Sequence, residues 1–187
     1  IIFTTAGTIT ADADISQYNL ADGTNSITLT GVAQNVSGGT GADTVVLGAL
    51  SHTGTLSLAA GANVVTAGTG AVLNGTISAA SGTAALTVAD NASVTMNAAN
   101  YVLFNTTGIT AGATETIILS DALTGAATLN STVENFTLAA SGTNSVSVGA
   151  VGQTINADAL TDAQVLSLTG AQAATVTLTA GDLSSTS

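Results

Sequence analysis

The sequence predicts an all-β chain wound as a parallel β-solenoid (β-helix) with irregular coils of roughly 20 residues. Three observations predict it. Short runs rich in Thr and Val alternate apolar with polar residues along the whole chain, the pattern of half-buried strands. A Gly-x-Asn/Asp-x-apolar pattern returns at a nearly constant interval. Hydrophobic residues make up 45% of the chain but aromatic residues only 3%, so any core is built from small side chains and is thin. Two backbone layers lying close together suit such a core.

The strand-like runs come in order. They include Ser26–Thr30, Thr44–Leu47, Gly54–Leu58, Ala84–Val88 and Ser93–Met96, then Thr116–Leu119, Val133–Leu138, Asn144–Val148 and Ala174–Leu178. Gly, Asn, Asp and Ser stand between them and supply turns. Proline is absent, so no ladder donor is lost to a proline ring. Helix signals are few. Asn156–Leu168 carries Thr161 and Gln164 at capping-box spacing, and Asn97–Asn100 is a second short candidate.

The turn pattern opens at Gly23, Gly41, Gly61 and Gly142, with Asn25, Asp43, Asn63 and Asn144 two residues on. Degenerate copies at Gly82 and Gly125 carry Ala instead. Leu20, Val36, Leu58 and Leu138 precede the four better copies. These glycines fall 17 to 21 residues apart, except for one gap of about twice that around Phe104. Glycine permits the positive φ of a tight turn. Asn or Asp can bond its own backbone there, and stacked Asn side chains can pair between coils. Eight to ten coils of roughly 20 residues would account for the chain, with Tyr18, Tyr101, Phe104 and Phe136 as larger core fillers. A β-sandwich with Gly-Asn hairpin turns is the alternative. Residues 1–187 read as one β-repeat segment of a longer repeat protein. The first residues, Ile1–Thr5, lack a start Met and a charged region and do not resemble a signal peptide.

Charge narrows the function classes. The chain has no Lys or Arg, eleven Asp plus Glu and a formal net charge of -11. Nucleic-acid binding needs basic side chains and is excluded as an expectation. A polybasic membrane patch is absent, and no run approaches the roughly 20 apolar residues of a membrane span. Cysteine is absent, so disulfides cannot stabilise the fold. Carboxylates in excess leave divalent cations as plausible partners.

The sharpest motif is Gly38-Gly39-Thr40-Gly41-Ala42-Asp43-Thr44-Val45-Val46. It is similar to the nonapeptide of RTX proteins, and Thr132–Leu138 resembles the Val-Glu-Asn segments that introduce coils in RTX-like and β-strand-repeat surface proteins of Gram-negative bacteria. The resemblance implies calcium as cofactor at Gly39, Gly41 and Asp43, export from the cell, and a role as surface layer, adhesin or filament. The neighbouring copies carry Asn25 and Asn63 where the motif has Asp, and neutral ligands weaken a hard-cation site.

Catalysis is not expected. His52, the only histidine, reads as an exposed polar turn residue rather than a triad member, and no G-x-S-x-G elbow accompanies it. One His cannot supply a zinc site. Asp12 with Asp14, and Asp158 with Asp162, are the nearest carboxylate pairs for glycoside hydrolysis, in contexts that suit solvated turns. A polysaccharide lyase would need a basic residue, and a P-loop would need its lysine. The expectation is a secreted, extracellular structural protein that self-associates into a surface layer or filament. Cell-surface polysaccharide is a further partner class. The alternative is an adhesin or an ice-binding solenoid module, although Thr does not recur in strict register in the sequence.

Overall fold

The computed structural model describes residues 1–80, 84–125, 127–140, 142–160, 165–169 and 172–177. It is a parallel β-solenoid of about eight coils, as the repeat spacing predicts. Four sheets run along it, and their paired strands are parallel. Sheet I stacks Thr8–Thr10, Asn25–Thr28, Asp43–Gly48, Asn63–Ala67, Ala84–Val88 and Ile109–Thr110. Sheet II stacks Gln17–Asn19, Asn35–Ser37, Thr55–Leu58 and Thr76–Ala79. Sheet III stacks Ser51–His52, Val72–Leu73, Ser93–Met96, Thr116–Leu119, Asn135–Thr137, Thr154–Asn156 and Thr175–Thr177. Sheet IV stacks Ala127–Thr128, Thr143–Ser147 and Val165–Thr169.

Chain order shows how the coil changes shape. The first two coils alternate sheets I and II. From Ser51 a strand of sheet III enters between them, making three-sided coils. After Thr116 the coil alternates sheets III and IV. The inward residues stack in rows because a one-residue slip would turn every side chain to the other face. Ile27, Val45, Val65, Leu86 and Ile109 form one such row, and Val94, Ile117, Phe136 and Ile155 form another. All are buried. The four expected large fillers, Tyr18, Tyr101, Phe104 and Phe136, are all buried, and Tyr101 meets Phe136 edge to face at 5.9 Å.

The long gap in the glycine pattern has a structural cause. A helix, Ala98–Thr107, occupies the coil at the place where chain order would put the next strand of sheet II. Asn97 caps it by accepting the Asn100 N–H at 2.8 Å, and Gly108, at φ 132°, ends it. The short candidate at Asn97–Asn100 is therefore a helix start, and the helix runs well beyond it. The other helix expectation is corrected. Thr154–Asn156 and Val165–Thr169 are strands, because their alternation suits pleated pairing with neighbouring coils. The proposed capping residues Thr161 and Gln164 lie outside the described residues.

Candidate functional site

The repeated turn builds an inward ladder of polar side chains. Asn25, Asp43 and Asn63 pair in register along sheet I and are fully buried. Each Asn aims its amide oxygen at the preceding coil and its amide nitrogen at its own turn. Asn25 Oδ1 accepts the Gly7 N–H at 3.3 Å, and Asn63 Oδ1 accepts the Asp43 N–H at 2.9 Å. Asn25 Nδ2 donates to the carbonyls of Ala21 and Gly23, four and two residues back. Asn63 Nδ2 does the same to Ala59 and Gly61. The ladder ends at Ala84, which pairs with Asn63 in the next coil. Asn144 repeats the device on sheet IV, taking the Leu123 N–H and donating to Ala139.

Glycine makes this stacking possible. Gly41 and Gly61 adopt φ of 123° and 132°. A Cβ on Gly61 would stand 1.8 Å from the Gly41 carbonyl oxygen, and one on Gly41 2.3 Å from that of Gly23. No side chain fits between turns stacked so closely.

Asp43 departs from its neighbours. Its Oδ1 accepts the side-chain amide of Asn25 at 2.7 Å, where the two Asn residues accept a backbone N–H. Its Oδ2 is buried with no hydrogen-bond partner. It rests against Gly38, whose Cβ would be 2.5 Å away. Four and two residues back stand Gly39 and Gly41, where the flanking turns offer carbonyls to an amide. Burial pushes the Asp43 carboxyl above the usual carboxylate range, against the pull of the Asn25 hydrogen bonds; Asp22 nearby pushes it up further. Asp22 itself accepts the Thr40 N–H at 2.8 Å, which holds its carboxyl low.

Gly39, Gly41 and Asp43, the residues of the motif, lie in one turn between sheets II and I. The donor set there is one free carboxylate oxygen and two turn carbonyls, beside an amide NH2 that donates inward. Calcium takes six to eight oxygens, and this set falls short. Among the described residues no group of three or more His, Cys, Asp or Glu stands together to hold a metal.

A second set of buried polar groups pins the corners, and the sequence reading missed it. Gln34 Oε1 accepts the N–H groups of Thr30 and Gly31, while its Nε2 donates to Asp12 and Ile15 of the preceding coil. Gln153 repeats this with Gly149, Ala150, Asn130 and Val133. Glu115 does half of it. Burial pushes its carboxyl up, but N–H groups of its own turn and of Asn91 hold it below the usual range. The one available signal was a Gly three or four residues before each Gln.

The expectation that His52 is exposed is corrected. It is fully buried on sheet III, opposite Leu73. Its Nε2 meets the Gln34 carbonyl at 2.9 Å, so that nitrogen carries the proton. Its Nδ1 has no partner, and burial lowers its pKa. Asp12 and Asp14 form an ordinary turn in which Asp12 accepts the Asp14 N–H. Asp158 N–H bonds Asn156 Oδ1, and Asp162 lies outside the described residues.

The outward strand positions carry no charge. On sheet II they include the row Asn19, Ser37, Ser57 and Ser78. On sheet I one row reads Thr10, Thr28, Val46, Thr66, Thr87 and Thr110. Threonine is therefore in register on this sheet, contrary to the sequence expectation, because unequal coil lengths hide the alignment in the linear chain. No family model, curated protein or solved structure matches this chain.

Proposed function

We propose that this chain is a structural segment of a secreted, extracellular repeat protein that self-associates into a surface layer or filament. The observation that carries the reading is the outward surface of the strands: small, uncharged, in-register side chains on successive coils. Among the described residues the carboxylates sit in turns or point inward. Charge-free faces can pack on one another sheet to sheet, about 10 Å apart, without burying an unpaired charge. The buried state of His52 and the turn bonding of Asp12 with Asp14 support a structural role over a catalytic one. Electron microscopy of the purified protein, with calcium and with a chelator, tests this. Ordered lattices or filaments are expected; isolated monomers in both conditions would overturn it.

The threonine row favours a second reading, an ice-binding module. Five of its six positions carry a hydroxyl and a methyl, repeating at the strand spacing of about 4.8 Å. Such a face can order water in two dimensions. Thermal hysteresis would separate it from a purely structural rod.

A further inference from the structure

One asparagine of this chain is followed by glycine, Asn74 before Gly75. The pair makes the corner between the strands Val72–Leu73 and Thr76–Ala79. Asn74 is exposed and Gly75 is buried. Stacking of the coils imposes the glycine: a Cβ there would stand 2.1 Å from the Gly54 carbonyl oxygen. An Asn-Gly pair carries its own chemistry. Glycine has no Cβ to shield its amide nitrogen, so that nitrogen can reach the carboxamide carbon of the asparagine before it. Asparagine counts among the thermolabile residues.

In the folded chain both reacting groups are tied down. The Gly75 N–H donates to the His52 carbonyl at 3.0 Å, and the Asn74 N–H shares that acceptor at 3.2 Å. The Gly75 carbonyl accepts Asn100 Nδ2 at 2.9 Å, and the Thr76 N–H donates to the Gly54 carbonyl. Asn74 Oδ1 accepts the Ser120 hydroxyl at 2.9 Å, two coils on. A nitrogen whose N–H points at His52 has to leave that bond before it can attack. We propose that Asn74 is a self-modification site gated by opening of this corner. When the Gly75 N–H leaves the His52 carbonyl, the chain cyclises there and Asn74 becomes aspartate or isoaspartate.

The steps balance with water as the co-reactant. The Gly75 nitrogen gives its proton to solvent and bonds to Asn74 Cγ. The Cγ–Nδ2 bond breaks, ammonia leaves, and a succinimide ring remains. Water opens the ring at either carbonyl. Opening at Cγ leaves aspartate. Opening at the main-chain carbonyl leaves isoaspartate, whose main chain runs through Cβ and is one atom longer. Either product adds a carboxyl to a chain whose formal net charge is already -11. Aspartate keeps an acceptor for Ser120. Isoaspartate lengthens a corner whose two ends are fixed in register, Leu73 against Met96 and Thr76 against Thr55, so the coil no longer closes there. The proposal goes beyond the structural role and survives its failure, since a monomeric rod has the same corner.

The test follows the intact chain in mildly alkaline buffer, folded and in urea, by mass spectrometry with fragment mapping. The mass gain separates Asn74 from Asp22 before Gly23, which can only isomerise. In urea Asn74 should convert before every other asparagine. In the folded chain it should convert more than about tenfold more slowly, which needs only about 1.4 kcal/mol of opening free energy. The folded rate should not exceed the rate in urea divided by the hydrogen-exchange protection of the Gly75 amide. Asn100→Ala removes the donor to the Gly75 carbonyl and should speed conversion of the folded chain while leaving the rate in urea unchanged. Equal rates folded and in urea, another asparagine converting first in urea, a folded rate above the exchange limit, or an Asn100→Ala chain with an unaltered folded rate would each overturn the proposal. If Asn100→Ala does not fold, the natural chain compared folded and in urea, with the exchange of Gly75, decides alone.

Discussion

His52 shows how much a single buried residue depends on its partners. Its ring replaces an aliphatic side chain in the row that continues through Leu73 and Met96. The Gln34 carbonyl satisfies Nε2 and nothing satisfies Nδ1. Protonation would put a charge into that row, so folding lowers the pKa from 6.5, chiefly through burial. The lowered value makes the contribution of His52 complete above about pH 6.5 and lost as the pH falls through the folded pKa. Urea unfolding of His52→Leu should lose the decline in stability below about pH 6.5. The same variant should cost about 1–3 kcal/mol at neutral pH, because the Gln34 carbonyl loses its donor. An unchanged acid decline would place that titration elsewhere. Nothing in Leu50-Ser51-His52-Thr53-Gly54 announced this burial: a polar residue between Ser and Gly has the composition of an exposed turn.

At the scale of elements, turns and strands were legible because their signals are local. The glycine of each better copy has positive φ, and the apolar residue two positions past each Asn or Asp points inward. The third side of the coil was not legible, since Ser51–His52 and Val72–Leu73 are too short to alternate. The helix was half legible, its cap visible at Asn97 and its length not. Its anchoring is tertiary. Asn100 Nδ2 donates to Leu73 and Gly75 below, while Asn105 Nδ2 reaches Thr128 and the Tyr101 hydroxyl takes the Asn130 N–H. Removing the cap with Asn97→Ala should cost about 1 kcal/mol. Asn100→Ala strips the donor from two buried carbonyls and should cost more, about 2–6 kcal/mol at about 1–3 each. Denaturant titration of both variants checks the order. If Asn97→Ala were the costlier, the helix would be held by its own cap rather than by the coils.

The whole molecule combines uncharged faces with a strongly acidic outline, and these oppose each other in assembly. The sheets offer faces that bury no charge, but a net charge of -11 with no Lys or Arg repels every copy from the next. Repulsion between exposed turn carboxylates is screened over about 8–10 Å at moderate salt, a distance similar to the spacing of packed sheets. Association should therefore be weak at low salt and neutral pH, where the formal net charge is -11. It should strengthen with salt, with divalent cations, or as the pH approaches the sequence pI of 4.1. Asp22, and Glu115 against its burial, are held low by backbone N–H groups and resist protonation in that range. Light scattering across a pH and salt series measures this directly. Scattering that rises toward pH 4.1 and falls again in low salt at neutral pH is the expected result. Indifference to pH between about 3 and 8 would mean that repulsion is not what limits assembly. A face-to-face contact would then have to be strong enough to overcome the full charge. Replacing Ser57 with Glu in the sheet II row decides between these cases. It adds one charge at the centre of a face and should abolish association if that face is the contact, while leaving the fold intact because the position points outward.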